Sequence, residues 1–198
     1  MKHSTHRNFK TSEMFEGDDD DDDYVEVVDD DIYFYSIVTT KSVLQLNKEL
    51  AKLNKKMGRR KTPGQEIRIF VHSEGGSVDA GMSAMDHIGL SNIPVHVIVD
   101  GFAGSASTFF ILKAAKKSIL PHGRILIHQI SGGIVGNYGE MKAEFNNCSM
   151  IQNNVREMYR TYCKIPKKVM DEIMHHDIEI CASDCVRYGI VDEIVTSL

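Results

Sequence analysis

A mostly parallel α/β sheet is the fold class this 198-residue chain predicts. Three observations carry the prediction. From Ile32 onward, short runs rich in β-branched residues alternate with longer stretches of helical periodicity, the pattern of strand–helix–strand units. Glycine and other tiny residues crowd two of the strand-to-helix junctions, HSEGGSVDAG (His72–Gly81) and DGFAGSAS (Asp100–Ser107). No internal repeat and no run of about 18 apolar residues competes with that reading.

The elements follow in order. Ile32–Val38 reads as a strand. Ser42–Met57 sets Val43, Leu46, Leu50 and Leu53 on one helical face, with Ser42 as a candidate cap. The basic segment Gly58–Gln65 is a loop, Ile67–His72 a strand, Ser77–Leu90 a helix and Pro94–Val99 a strand. Ser105–Lys116 is read as one helix, Ser118–Leu120 and Ile125–Gln129 as strands, and Gly132–Gly136 as a glycine-rich extended stretch. Helical patterning resumes over Tyr138–Cys163 and Pro166–His175, and a last strand covers Ile190–Val195.

Charge divides the chain into two parts. Residues 1–31 hold twelve acidic and three basic residues, net −9, whereas the remaining 167 hold sixteen acidic and twenty basic, net +4. Asp18–Asp23 is an unbroken aspartate run, and such a block repels itself and resists compaction. Residues 1–31 are therefore expected to be an acidic, disordered arm, or a charged loop that lines an entrance, and 32–198 a single folded domain. The run lacks the glycine and closing glutamate spacing of a calcium loop. The four cysteines form no CxxC pair, and no signal-peptide core opens the chain, so reduced thiols and a cytoplasmic location are expected.

Strand ends that meet helix starts collect free backbone amides, which suit an anion. GFAGSAS lacks the Lys-Ser/Thr ending of a P-loop and the third glycine of a dinucleotide fingerprint, so a nucleotide fits poorly. An acyl oxyanion needs the same donors plus a nucleophile. Ser105 opens a helix in the right place, although a helix cap in a close-packed turn would look the same, and Ala103 and Ser107 depart from the G-x-S-x-G elbow. Among nine histidines, His128 ends the apolar strand of GRILIHQI and precedes the glycine-rich ISGGIVG, where it would face a cleft. Asp177 and Asp192 are both candidates for an orienting acid.

Four blocks, IFVHSEGGSVDAGMSAMDHI, DGFAGSASTFFILKAA, GRILIHQISGGIVG and DIEICASDCVRYGIVDEI, resemble the proteolytic subunit of the Clp protease in order and spacing over more than 150 residues. The resemblance implies a Clp/crotonase-type spiral of βαβ units with an inserted strand–helix handle at about 130–163, by which two seven-membered rings stack. It implies a serine endopeptidase with Ser105 as nucleophile, His128 as base, Asp177 as orienting acid and the amides of Gly76 and Ala106 as oxyanion hole. Gly132, Gly133, Ile134 and Val135 would pair with an extended substrate strand. It implies peptide or unfolded-protein substrates, a homo-oligomer, no metal or cofactor in the chain, and ATP only through a partner AAA+ unfoldase. A nucleic acid or a membrane is not expected as a partner. Two other readings stand beside it: a catalytically silent ring or scaffold subunit, and a crotonase-type acyl-CoA enzyme.

The departures are local. Glu74 and Ile130 stand where the family has proline, and Glu74 is expected to face solvent. His176 replaces an arginine used in ring contacts. The family's amino-terminal hairpin is replaced by the aspartate run and YVEVVDDD, which weakens the inference of an ATPase partner.

Overall fold

The computed structural model describes residues 24–60 and 63–197, so the Asp18–Asp23 run lies outside the described residues. The elements run β1 (Tyr24–Val28), β2 (Asp31–Tyr35), α1 (Thr40–Arg60), β3 (Ile67–Ser73), α2 (Val78–Gly89) and β4 (Val95–Gly104), then a 3-10 turn (Ser105–Thr108) and α3 (Phe109–Leu112). They continue through β5 (Lys116–Ile119), β6 (Arg124–Leu126), α4 (Tyr138–Tyr162), α5 (Lys167–His176), β7 (Glu179–Cys181), α6 (Ala182–Arg187) and β8 (Glu193–Ile194). One sheet joins the strands in the order β1-β2-β3-β4-β5-β8, with β6 against β4 and β7 against β6. The β1–β2 and β6–β7 pairs are antiparallel, and the rest are parallel.

The sequence pattern explains the core. Ile67, Ile69 and Val71 on β3 and Val95, Val97 and Val99 on β4 are all buried on the sheet, and their β-branched side chains suit a pleated surface covered by helices. On α1, Val43, Leu46, Leu50, Leu53 and Met57 recur at helical spacing and are buried against it. Each such side chain contributes roughly 1.5–3 kcal/mol relative to exposure. The helix starts at Thr40, earlier than Ser42, because Ser42 is not the cap. Instead Ser42 N–H donates to Thr39 Oγ1 and Thr39 N–H donates to Ser42 Oγ, both at 3.0 Å. This reciprocal pair satisfies the first amides of the helix in the manner of a capping box.

Several expectations are corrected. Residues 24–31, assigned to the acidic arm on composition, enter the sheet through β1, whose Val25 is buried and whose Val25 carbonyl accepts a 2.6 Å bond from Gln45 Nε2 on α1. Glu26 and Asp29–Asp31 hid that strand, since they read as more of the same charge. The single helix expected over Ser105–Lys116 is instead a 3-10 turn, one helical turn and the strand β5. Lys116 and Lys117 fit a strand here because β5 borders β4 in parallel and carries their charges at its exposed end. The strand expected at the start of the handle is absent: residues 130–136 run irregularly, with Gly132, Gly133, Ile134 and Val135 all exposed. A strand exists through its ladder, and no strand of the sheet pairs with this segment.

Among the described strands β4 is the longest, because on the side away from β3 it serves two partners. Its first half, His96–Val99, pairs with β5, and its last part, Phe102–Gly104, pairs with β6. The bend between them falls at Gly101, whose φ of +87° suits glycine.

At the opposite end of β4, His96 is 5 % exposed, its Nε2 2.7 Å from Ser118 Oγ and its Nδ1 3.3 Å from Glu66 Oε1. Burial is the dominant cause of a lowered pKa, opposed by Glu66, assisted by Lys116 and opposed by Glu193. The folded state thus refuses a proton that the unfolded chain accepts below its ordinary pKa of about 6.5. Stability is expected to fall as pH drops from 7.5 to 5.5, and His96→Gln to show a shallower fall in urea midpoint over the same range; equal slopes for both proteins would contradict this.

Candidate active site

Two strand ends build the site. β3 ends at Ser73 and β4 at Gly104, and the parallel register sets Ser73 beside Ala103. Beyond β3 the chain turns through Gly75 and Gly76, with φ of +99° and +144°. Val38 anchors this turn, since its N–H donates to Gly75 O and its carbonyl accepts from Ser77 N–H, each at 2.7 Å. Those bonds leave the Gly76 N–H outside the ladder. Neither glycine has room for a side chain. A Cβ on Gly76 would lie 2.4 Å from Val38 O, and one on Gly75 would lie 2.6 Å from Ser105 Cβ and 3.1 Å from Ala106 N.

Ser105 therefore sits directly against the Gly75 turn. Its φ is +52°, a left-handed value costly for a side-chain-bearing residue, and it marks the residue as held in place by its surroundings. Two hydroxyls hold it. Ser107 Oγ, fully buried, is 2.7 Å from Gly104 O, and Thr108 Oγ1 donates to Ser105 O at 2.6 Å. Ala106 N–H belongs to the first turn of the 3-10 segment, where backbone donors lack helical partners. α2 closes the floor: a Cβ on Gly81 would fall 2.7 Å from Ala106 O.

His128 follows β6 and Asp177 precedes β7, the two strands that pair next to the end of β4. In the parallel β4–β6 ladder Gly104, the residue before Ser105, faces Leu126, two residues before His128. The antiparallel β6–β7 ladder ends with Leu126 facing Glu179, two residues before His128 and two residues after Asp177. Gln129 N–H donates to Met174 O at 3.3 Å, which keeps this extension beside α5. Asp177 ends α5 in a left-handed conformation, φ 48°, which aspartate tolerates. His128 is half-buried and Asp177 exposed. Among the hydrogen bonds of the described residues, none joins the side chains of Ser105, His128 and Asp177. Catalytic hydrogen bonds of this kind often tighten only around a substrate.

The other candidates are engaged elsewhere. Asp192 Oδ2 accepts from Lys117 N–H at 2.9 Å on the β5–β8 side of the sheet. His72 stacks on Tyr35 with its Nδ1 2.7 Å from Asp100 O, and His96 belongs to the buried Ser118 contact. Glu74 is exposed, as expected. A recess of about 380 Å³ between α1 and α2, lined by Asn47, Asn54, His87 and Leu90 among others, lies apart from these residues. Among the described residues no group of three His, Cys, Asp or Glu could hold a metal ion, and no helix is long and apolar enough to cross a membrane. Sequence reasoning missed Thr108, whose only signal was its place in the small-residue run SAST, and Tyr159 behind it.

Comparison with known proteins agrees with this architecture. A family model described as Clp protease matches residues 18–198. The chain is 30 % identical over 169 residues to the ATP-dependent Clp protease proteolytic subunit 1 of Chlamydia muridarum, covering 83 % of this chain and 85 % of that one. It is 31 % identical over 139 residues to the subunit of the same name from Chlamydia caviae, covering 68 % and 73 %. A Deinococcus radiodurans ATP-dependent Clp protease proteolytic subunit is 26 % identical over 135 residues, covering 67 % and 66 %. With a family model matching through both glycine-rich junctions and on to the end of the chain, the α/β spiral and its edge are those of the Clp protease family, to which this chain belongs.

Proposed function

We propose that this chain is a serine endopeptidase that works inside an oligomeric ring. Ser105 Oγ attacks the peptide carbonyl while His128 takes its proton, and Asp177 holds the imidazole in the tautomer that accepts it. The carbonyl oxygen, now negative, receives hydrogen bonds from the Gly76 and Ala106 amides. His128 then returns the proton to the leaving amine, and an acyl ester remains on Ser105. Water, deprotonated by the same histidine, hydrolyses that ester and regenerates the serine.

The observation that carries this reading is the left-handed Ser105 wedged against Gly75, at the end of β4 beside the β6–β7 pair, whose ladder stops two residues short of His128 and of Asp177. A residue strained in this way at a strand end is where folds present a nucleophile. Gly132, Gly133, Ile134 and Val135 are exposed and follow His128 along the chain, and an extended substrate would pair with them as an added strand. Peptides or unfolded proteins are the substrates of this reading. An AAA+ unfoldase would be the route by which ATP contributes, and the cytoplasm the compartment.

Assembly is the second half of the proposal. The first half of α4 exposes Tyr138, Met141 and Phe145, at 77 %, 41 % and 65 %, at spacings that share one helical face. Such an apolar stripe suits burial against the same helix of another ring. A catalytically silent ring subunit is favoured by one observation, the absence of a hydrogen bond among the three side chains in the single protomer.

Three outcomes separate the readings. Ser105→Ala should lower hydrolysis of a fluorogenic peptide on the order of 10⁴-fold or more and abolish fluorophosphonate labelling; a wild-type protein that does neither reaction at any assembly state is a silent subunit. Gly75→Ala should cost about 1–3 kcal/mol from the positive φ alone. It should also slow peptide cleavage on the order of 10²-fold by displacing Ser105. Phe145→Asp should shift sedimentation to smaller species and reduce cleavage in parallel; unchanged sedimentation would place the ring contact elsewhere.

A further inference from the structure

α4 is exposed over most of its length, and Val155 and Tyr159 are its buried residues. Tyr159 is 2 % exposed, and a buried hydroxyl requires a partner. That partner is Thr108 Oγ1, at 2.5 Å. Thr108 Oγ1 also lies 2.6 Å from the carbonyl oxygen of Ser105. A threonine hydroxyl carries one hydrogen, and the Ser105 carbonyl can only accept. Thr108 therefore donates to Ser105, and Tyr159 donates to Thr108. Burial raises the pKa of the Tyr159 phenol far above its ordinary range, so the donor keeps its proton. The Tyr159 ring also packs on Phe109, centroids 6.1 Å apart and planes at 58°, which fixes where the hydroxyl reaches.

The chain of bonds acts on one peptide plane. The Ser105 carbonyl and the Ala106 N–H belong to the same planar, trans amide and point in opposite directions. Holding the oxygen from below therefore aims the hydrogen above. The left-handed Ser105, φ +52°, opens the 3-10 turn Ser105–Thr108, and the Thr108 hydroxyl adds a side-chain bond to the carbonyl with which that turn begins.

We propose that Tyr159 is a positioning residue for peptide hydrolysis: through Thr108 it fixes the Ser105–Ala106 peptide plane, and with it the direction of the Ala106 N–H toward the developing oxyanion. The inference rests on the serine-endopeptidase reading above. It gives α4 a part in the chemistry that is separate from its exposed stripe.

The test uses full-length Tyr159→Phe, Thr108→Val and Thr108→Ser, with Ser105→Ala as the blank. Each protein is checked by sedimentation and melting temperature, and its competent sites are counted by the endpoint of fluorophosphonate labelling. Per competent site, Y159F and T108V should each lower the acylation rate and kcat for a peptide about fivefold to tenfold, the effect of one lost hydrogen bond. KM should stay unchanged, because the interaction is made to the transition state. T108S, which keeps the hydroxyl, should restore the rate, and the Y159F/T108V double variant should be no slower than T108V, since the two act in one chain. Wild-type rates per site in Y159F and T108V, with S105A blank, would overturn the inference and leave the peptidase reading intact. A T108S as slow as T108V would also overturn it. If wild-type protein is not labelled at Ser105, the peptidase reading itself fails and this inference goes with it.

Discussion

Everything at the candidate site depends on one close approach, that of the Gly75 turn to the Ser105 turn. Two neighbouring parallel strands end at the same level, with Ser73 beside Ala103, and their following residues turn outward together. Parallel strands that end together release backbone amides in one place, which is why such edges gather ligands and chemistry. The approach is possible only with no side chain on Gly75, because a Cβ there would meet Gly104 O at 2.5 Å and Ser105 Cβ at 2.6 Å. Ala106 and Gly81 continue the same economy of size one layer down, where α2 presses on the elbow.

The elbow is held by hydroxyls rather than by apolar bulk. Ser107 bonds the Gly104 carbonyl, Thr108 bonds the Ser105 carbonyl, and both are buried. Small residues leave few van der Waals contacts to fix a backbone, and buried hydrogen bonds supply direction where packing alone would not. Phe109, Phe110, Ile111 and Leu112 follow at once and are buried, so the mobile-looking sequence of the turn is anchored to the core within four residues.

Much of this was legible in the sequence. The buried β3 and β4, the amphipathic α1 and the long α4 stand close to where periodicity put them, because each expresses its burial in its own local pattern. The strands that escaped notice are those whose identity lies in a partner. β1 is obscured by surrounding carboxylates, and β7 is three residues long and owes its conformation to β6. The glycine-rich stretch after His128 failed in the opposite sense: it has the composition of an extended segment, and no sheet strand beside it in one protomer.

What the sequence by itself determined is the inventory: a parallel α/β sheet, two glycine-rich junctions, a serine at a helix start and a histidine at a strand end. Tertiary structure decided the choices among equals. Asp192 falls to the β5–β8 side, whereas Asp177 lies just before β7, the partner of the β6 strand that leads to His128, a distinction set by strand pairing and invisible in spacing. Ser107 and Thr108 are separated from Ser105 by role, since only the fold shows their hydroxyls turned to the carbonyls beneath it. Tyr159 joins them from 51 residues away along the chain. Local pattern records burial and turn preference, whereas which groups meet across the sheet is a property of pairing and packing, and those exist only once the chain is folded.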